Sequence, residues 1–343
     1  MSAAPAPTER AGAESESTSW SGSGMSIDEV VTELSRLHRV HSEHDHTHAA
    51  SRTMNLTVAP HGDDVRTTVT EAIDRLGSHN ASRTIVLREH EADRLDAELI
   101  VSCRVPGRPG EVGLCHDRVT LSADGARLAH ASSMVAPLLI LDLPSVVWMP
   151  DPAEELPDPD LLERVDQLVL DTDAAGPEAI RNAARLARHT AVRDLSWGRL
   201  DFWRATTAAA FDPPERRALV ERIDSLEVTF TGESPEPAFL YAGWIAARAG
   251  WTPGKLVGDH GRRVGRARRG EREVEITLRH DPEAPGCGGV EAAVFGAGGE
   301  RVVVRRGAAS DDLRDQLPIA VRPIASFARG YEPAIRATTS LLG

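Results

Sequence analysis

Four groups of residues in this 343-residue chain have types and spacings that could do chemistry. The first is the histidine run His41, His44, His46 and His48, a composition that can ligate zinc or nickel. It contains no cysteine and has no rigid flanking element to hold a ligand set. A solvated His-rich linker over 38–52 is the better reading, and no metal is expected. The second group is Cys103 and Cys115, on or near neighbouring expected strands, where they could come within bridging distance. They are either a redox pair or two small core residues. Cys287, in Pro-Gly-Cys-Gly-Gly, sits on a tight turn. The third is the arginine-rich stretch 262–272, which reads as an exposed loop. It could bind a phosphate-bearing ligand, nucleic acid or an acidic partner, or be a solvated turn. The fourth is aromatic. Only 4% of the residues are Phe, Trp or Tyr, yet Asp194-Leu-Ser-Trp197-Gly-Arg199-Leu-Asp-Phe-Trp203-Arg204 holds three of them beside two arginines. Trp and Arg dominate interface energetics, so Trp197, Arg199, Trp203 and Arg204 are candidate partner-binding residues. The alternative is a helix whose tryptophans anchor the core, and both can hold, with Trp203 inward and the arginines outward.

The sequence motifs that accompany bond chemistry are missing. There is no G-x-x-x-x-G-K-[ST] and no G-x-G-x-x-G between a strand and a helix. The first strand-to-helix turn, Ala59-Pro-His-Gly62-Asp-Asp, puts two acids where a pyrophosphate would lie. No G-x-S-x-G elbow is present. Asp142 and His116 are the nearest general-base candidates, and neither stands in a motif. No catalytic residue and no cofactor is therefore expected. The rival reading is a Rossmann-like enzyme that binds a sugar phosphate through its C-terminal arginines.

The elements that would position these residues follow from periodicity and punctuation. Residues 1–26 are low in complexity and read as a disordered tail. Val30, Val31, Leu34 and Leu37 predict a helix over 27–40. A strand at 54–59, a helix with Val65, Val69, Ile73 and Leu76 on one face, and a strand at 83–87 make a strand–helix–strand unit. Strands follow at 98–103 and 119–123, a helix at 133–141, and strands at 146–149 and 167–170. Pro177 opens the next helix. One from Ser196 carries Trp197, Leu200, Trp203, Thr207 and Phe211 on one side. Asp212 and Ser234 read as starts of two more helices, the latter closed by Gly250. Strands at 272–279, 290–295 and 301–305 suggest an antiparallel meander, and helical segments at 311–316 and 332–342 close the chain. The fold class is α/β: an N-terminal Rossmann-like mixed α/β unit, central helices and a C-terminal α+β domain with a small antiparallel sheet. The expected domains are 27–232 and 233–343.

Composition excludes several classes. With 41% hydrophobic and 27% charged residues the chain can bury ordinary cores. Its net charge of −13 argues against nucleic acid, because neutralising phosphates needs clustered cations. No apolar run approaches the ~20 residues of a membrane span. No apolar leader segment opens the sequence, and a cytoplasmic location is expected.

At 194–204 the sequence resembles the D-L-[ST]-W-x-R-L-x-x-W-R signature of the OpcA family, glucose-6-phosphate dehydrogenase assembly proteins of actinobacteria and cyanobacteria. Ser82-Arg-Thr-Ile-Val-Leu87 resembles the family's strand after its first long helix. Residues 138–150, with Leu143-Pro144 and Val147-Trp148, resemble its Leu/Pro-rich stretch, although Met149 replaces a second aromatic. Residues 238–250, followed by Trp251, resemble its Gly-Trp helix. The resemblance runs from about residue 53 to the C-terminus and leaves out 1–50. It implies a non-catalytic partner of glucose-6-phosphate dehydrogenase that promotes the active oligomer and activates it allosterically in the oxidative pentose phosphate pathway. The redox control attributed to cysteines in cyanobacterial members is not carried onto Cys103 and Cys115.

Overall fold

The computed structural model describes residues 15–44, 52–62, 65–104, 114–153, 155–156, 158–283, 289–305 and 330–343. In chain order the elements are β1 (Ser15–Gly22), α1 (Ile27–His44), β2 (Met54–Val58), α2 (Arg66–His79), β3 (Ser82–Glu89), β4 (Asp96–Arg104) and β5 (Leu114–Ala123). Then come α3 (Gly125–Leu128), α4 (Ala131–Val135), β6 (Ser145–Met149), β7 (Gln167–Leu170), α5 (Gly176–Leu186), β8 (Val192–Asp194), α6 (Leu195–Arg199), α7 (Asp201–Ala210) and α8 (Pro214–Arg217). The last are β9 (Ser225–Thr231), α9 (Glu236–Ala249), β10 (Thr252–Pro253), β11 (Val257–Gly258), β12 (Arg262–Arg269), β13 (Arg272–His280), β14 (Gly289–Ala297), β15 (Glu300–Arg305) and α10 (Tyr331–Leu342). The class is mixed α/β, as the sequence predicts. No helix among the described residues is long and apolar enough to cross a membrane. Two compact units result: one from the chain up to Val58 with Gly77–Ser145, the other from Ala59–Leu76 with Val146–Gly343.

In the first unit the strands lie in the order β1-β4-β5-β3-β2. β1, β4 and β5 pair antiparallel, and β5, β3 and β2 pair parallel. Every position of β2 is buried, as expected of a strand covered on both faces. α1 opens on a capping box: Glu29 N–H donates to Ser26 Oγ, and Ser26 N–H donates to the Glu29 carboxylate at 2.8 Å. It runs four residues past its expected end. β1 lies within the tail read as disordered. It forms because β4 supplies backbone partners from Ser15↔Arg104 to Gly22↔Ala97, a long-range pairing that Ser/Gly-rich composition cannot announce.

The second unit holds the parallel trio β6-β7-β8 and a second sheet, β10-β12-β13-β9-β14-β15, with β11 on β12. This sheet is not a meander. β9 inserts between β13 and β14 and pairs parallel with β13; the other pairs are antiparallel. The stretch read as an exposed arginine loop is largely strand β12. Its buried side holds Gly265 and Ala267 in place of large apolar residues, which hides the alternation. A Cβ at Gly265 would come within 2.7 Å of the Lys255 carbonyl, so only glycine lets that segment lie so close. α9 is apolar nearly all round and buried along most of its length. Gly250 closes it in the left-handed conformation, as its sequence position predicts. No capping by Asp212 or Ser234 is seen: Pro213 and Pro235 take the N-cap positions of α8 and α9. The expected helix at 311–316 lies outside the described residues.

Candidate functional site

The aromatic run does not form an exposed patch. Trp197 is 1% and Trp203 5% exposed. Trp197 meets Tyr331 of α10 edge-on, with centroids 5.6 Å apart, and Trp203 meets Tyr241 of α9 at 5.7 Å. Arg204 lies flat over Trp197, its Cζ 3.6 Å from the ring centroid. It donates to the Trp197 carbonyl and, at 2.7 Å, to Asp201. Arg199 turns inward, donating to Asp171 at 3.0 and 2.5 Å and to Asp173 at 3.2 Å. The two tryptophans pack in the core, the two arginines turn inward rather than outward, and the exposed residues of the run are Asp201 and Phe202 on α7.

The acids that receive Arg199 follow β7, and Asp194 ends β8, at the carboxyl ends of the parallel trio, where open α/β sheets place ligands. Here that position is filled by the protein's own side chains. Asp194 caps α6, accepting from Ser196 N–H at 2.9 Å. It also accepts from the Thr172 N–H and hydroxyl at 3.2 and 2.7 Å, and from the Tyr331 hydroxyl at 3.0 Å. The single hydroxyl proton of Ser234 lies between two carboxylates, with Oγ 2.5 Å from Asp173 and 2.7 Å from Glu236. Burial, and then the charge of Asp171, push the Asp194 carboxyl up to about 6. Burial raises Asp171 too, although Arg199 opposes it. Burial would lower Arg199, but the charges of Asp171, Asp173 and Asp194 outweigh it and raise it. Perturbed groups of this kind often mark chemistry. Asp194, however, is wholly buried and already accepts four hydrogen bonds, so it has no path to a substrate proton. The cluster works as a latch that ties β7, β8, α6, the turn before α9 and the start of α10 together.

The other candidates lie in the first unit or outside the described residues. Cys115 is buried and disulfide-bonded, and the β4–β5 register sets Cys103 directly opposite it. His116 is half-buried on β5 and pairs through Nδ1 with Ser82 Oγ at 3.0 Å. Asp142 is exposed on a turn with φ 66°. His41 and His44 fall on α1, while His46, His48 and Cys287 lie outside the described residues. Among the described residues no three His, Cys, Asp or Glu side chains are placed to hold a metal. A buried group that sequence reasoning missed is Asp117, which receives Arg52 at 2.7 Å, Arg83 at 3.0 Å and His38 at 3.1 Å. Burial alone would raise its carboxyl, but the bonds from His38 and Arg52 hold it well below the usual range. Nothing local signals it, because its partners come from three other segments.

In this mixed α/β protein the carboxyl ends of the parallel trio are occupied by the protein's own ion pairs. Residues 73–188 match the family model for the glucose-6-phosphate dehydrogenase subunit N-terminal domain, and residues 190–320 match that for its C-terminal domain. An OxPP cycle protein OpcA of Synechococcus elongatus is 35% identical over 170 residues, 48% of this chain and 38% of the relative. That of Synechocystis sp. is 30% identical over 191 residues, 52% of this chain and 39% of the relative. The chain belongs to the OpcA family. Its matched part spans well under half the length of these curated relatives. Among solved structures, the WlbA (WbpB) dehydrogenase of Thermus thermophilus is similar at 11% identity and a TM-score of 0.41, over 84% of this chain and 94% of that one.

Proposed function

We infer that this protein is a non-catalytic cytoplasmic assembly factor that binds glucose-6-phosphate dehydrogenase and raises its activity. The observation that carries the reading is the pair of consecutive family matches to a subunit of that enzyme, over 73–188 and 190–320. The site geometry supports it: the perturbed acids and arginines of the second unit are engaged with one another. Such a factor acts by binding one assembly or conformation of its partner better than the others, and it shifts the equilibrium by no more than that difference. The docking face is the α7 side of the 194–204 run, with Trp197, Arg199, Trp203 and Arg204 holding it rigid from beneath. Phe202, 55% exposed, is the contact residue. Cys103 and Cys115 act as a redox-sensitive staple across β4 and β5. The test is the mass of the dehydrogenase from the same organism, alone and mixed with this chain, by light scattering. A larger species containing both proteins is expected, weakened by Phe202→Ser without loss of melting temperature. Unchanged mass at concentrations that saturate any activation would overturn the assembly role. A Phe202→Ser variant that assembles normally would move the contact elsewhere.

A further inference from the structure

The buried side of the second sheet changes chemistry at one end. Along β9 that side carries Leu226, Val228 and Phe230; along β13 it carries Ile276, Leu278 and then His280; along β12 it carries Ala267, Gly265 and then Arg263. Phe230 lies opposite His280 in the parallel β9–β13 pair, and Arg263 lies opposite Leu278. The three therefore gather at the carboxyl ends of the two parallel strands, the end at which α/β sheets place ligands. With His260, Glu233 and the turn leading into α9 they line a cleft of about 370 Å3.

A guanidinium on the buried side of a sheet is costly unless a counter-charge meets it. Other arginines of the strand find one: Arg266 pairs with Glu273, and Arg269 faces Glu221. Arg263 makes no ion pair among the described residues. Its Cζ sits 5.4 Å from the Phe239 ring centroid, which steadies it at the cleft wall. The His280 ring lies 5.2 Å from that of Phe230 at 33°, so its orientation is set by packing. Two imidazoles and a carboxylate might suggest a cation, yet no three such side chains among the described residues are placed to hold one. A fixed positive charge flanked by two imidazoles suits an anion. Three donor groups face the cleft from two sides, His260 and Arg263 from the start of β12 and His280 from the end of β13, which suits the three oxygens of a phosphate better than the two of a carboxylate.

We propose that this cleft binds a small phosphomonoester. Arg263 takes two phosphate oxygens through its fork, His260 and His280 donate to the remaining oxygens, and Glu233 accepts from a hydroxyl of the ligand's body. The volume lies at the small end of the ~300–1,000 Å3 of ligand pockets, enough for a phosphate carrying one sugar-sized group and too small for a dinucleotide. Binding here does not depend on the chain being an assembly factor and is measured without any partner.

The test is calorimetric titration of the full chain with glucose 6-phosphate, inorganic phosphate, glucose and malonate. Both phosphate probes are expected to bind, and glucose is not. Arg263→Gln is expected to weaken binding about ten- to a hundred-fold, the loss of a charge-assisted bond. His260→Gln, at an exposed position, should weaken it less. Arg268→Gln, on the exposed side of β12, should leave it unchanged. Absence of binding by both phosphate probes at about 10 mM would overturn the proposal. So would affinity unaltered in both Arg263→Gln and His260→Gln, or malonate binding as tightly as phosphate.

Discussion

Replacing Arg199 by alanine asks whether the acid cluster beneath α6 is held together by that one guanidinium. Arg199 is 12% exposed, bonds Asp171 twice, at 3.0 and 2.5 Å, and bonds Asp173 at 3.2 Å. Removing one partner of a buried pair costs about 3–5 kcal/mol, because an uncompensated charge stays behind. An exposed pair costs no more than about 1 kcal/mol. Set against the ~5–15 kcal/mol of a folded domain, the larger figure is a severe loss. The variant also carries a pH signature. Asp194 is pushed up to about 6 by burial and by Asp171, and Asp171 is raised by burial. A carboxyl whose folded-state value exceeds its unfolded value of ~3.9 binds more protons folded than unfolded. Its stabilising contribution is complete below the unfolded value and is lost as pH rises through about 6. Without Arg199 both carboxyls rise further and the window of loss extends upward. The deficit of Arg199→Ala should therefore be larger at about pH 7.5 than at about pH 5. Urea unfolding followed by circular dichroism at the two pH values measures it, and Asp171→Asn added to Arg199→Ala should recover part of the loss. A deficit under about 1 kcal/mol at both pH values would refute the latch and return Arg199 to the surface.

Three further outcomes follow from the packing. Asp117→Ala strands Arg52 and Arg83 and should cost about 3–5 kcal/mol. Because the Asp117 carboxyl is held low, its contribution in the wild type is present above the ordinary carboxylate range and is lost as pH falls below it; an acid-unfolding midpoint unchanged by the substitution would contradict this. Gly243→Ala should cost about 1–3 kcal/mol in a thermal melt, since a Cβ there would lie 2.8 Å from the Ala334 carbonyl where α9 crosses α10; a neutral result would mean the two helices part readily. Peptide mapping of the unreduced chain should link Cys115 to Cys103, its register partner, and a link to Cys287 would contradict the β4–β5 pairing.

Much of the fold is legible in the sequence because the strand–helix–strand spacing of 54–87 and the helical stripe of Trp197, Leu200, Trp203 and Thr207 are local signals. What is not legible is what these residues meet. Trp and Arg serve interfaces and cores alike, and only Asp171, Asp173 and Tyr331, distant in sequence, decide that Arg199 and Trp197 turn inward. β12 escapes periodicity because its buried side holds glycine and alanine, and β1 because its order is supplied by β4. Asp117 is a lone acid in the sequence and a hub in the fold for the same reason.

The most direct measurement of the central claim is a kinetic titration. Glucose-6-phosphate dehydrogenase from the same organism, at fixed concentration, is assayed for NADPH formation against increasing amounts of this chain. The account predicts a saturable rise in rate with this chain inert when assayed alone. A rate independent of the added chain, or turnover of glucose 6-phosphate by this chain without the enzyme, would contradict it.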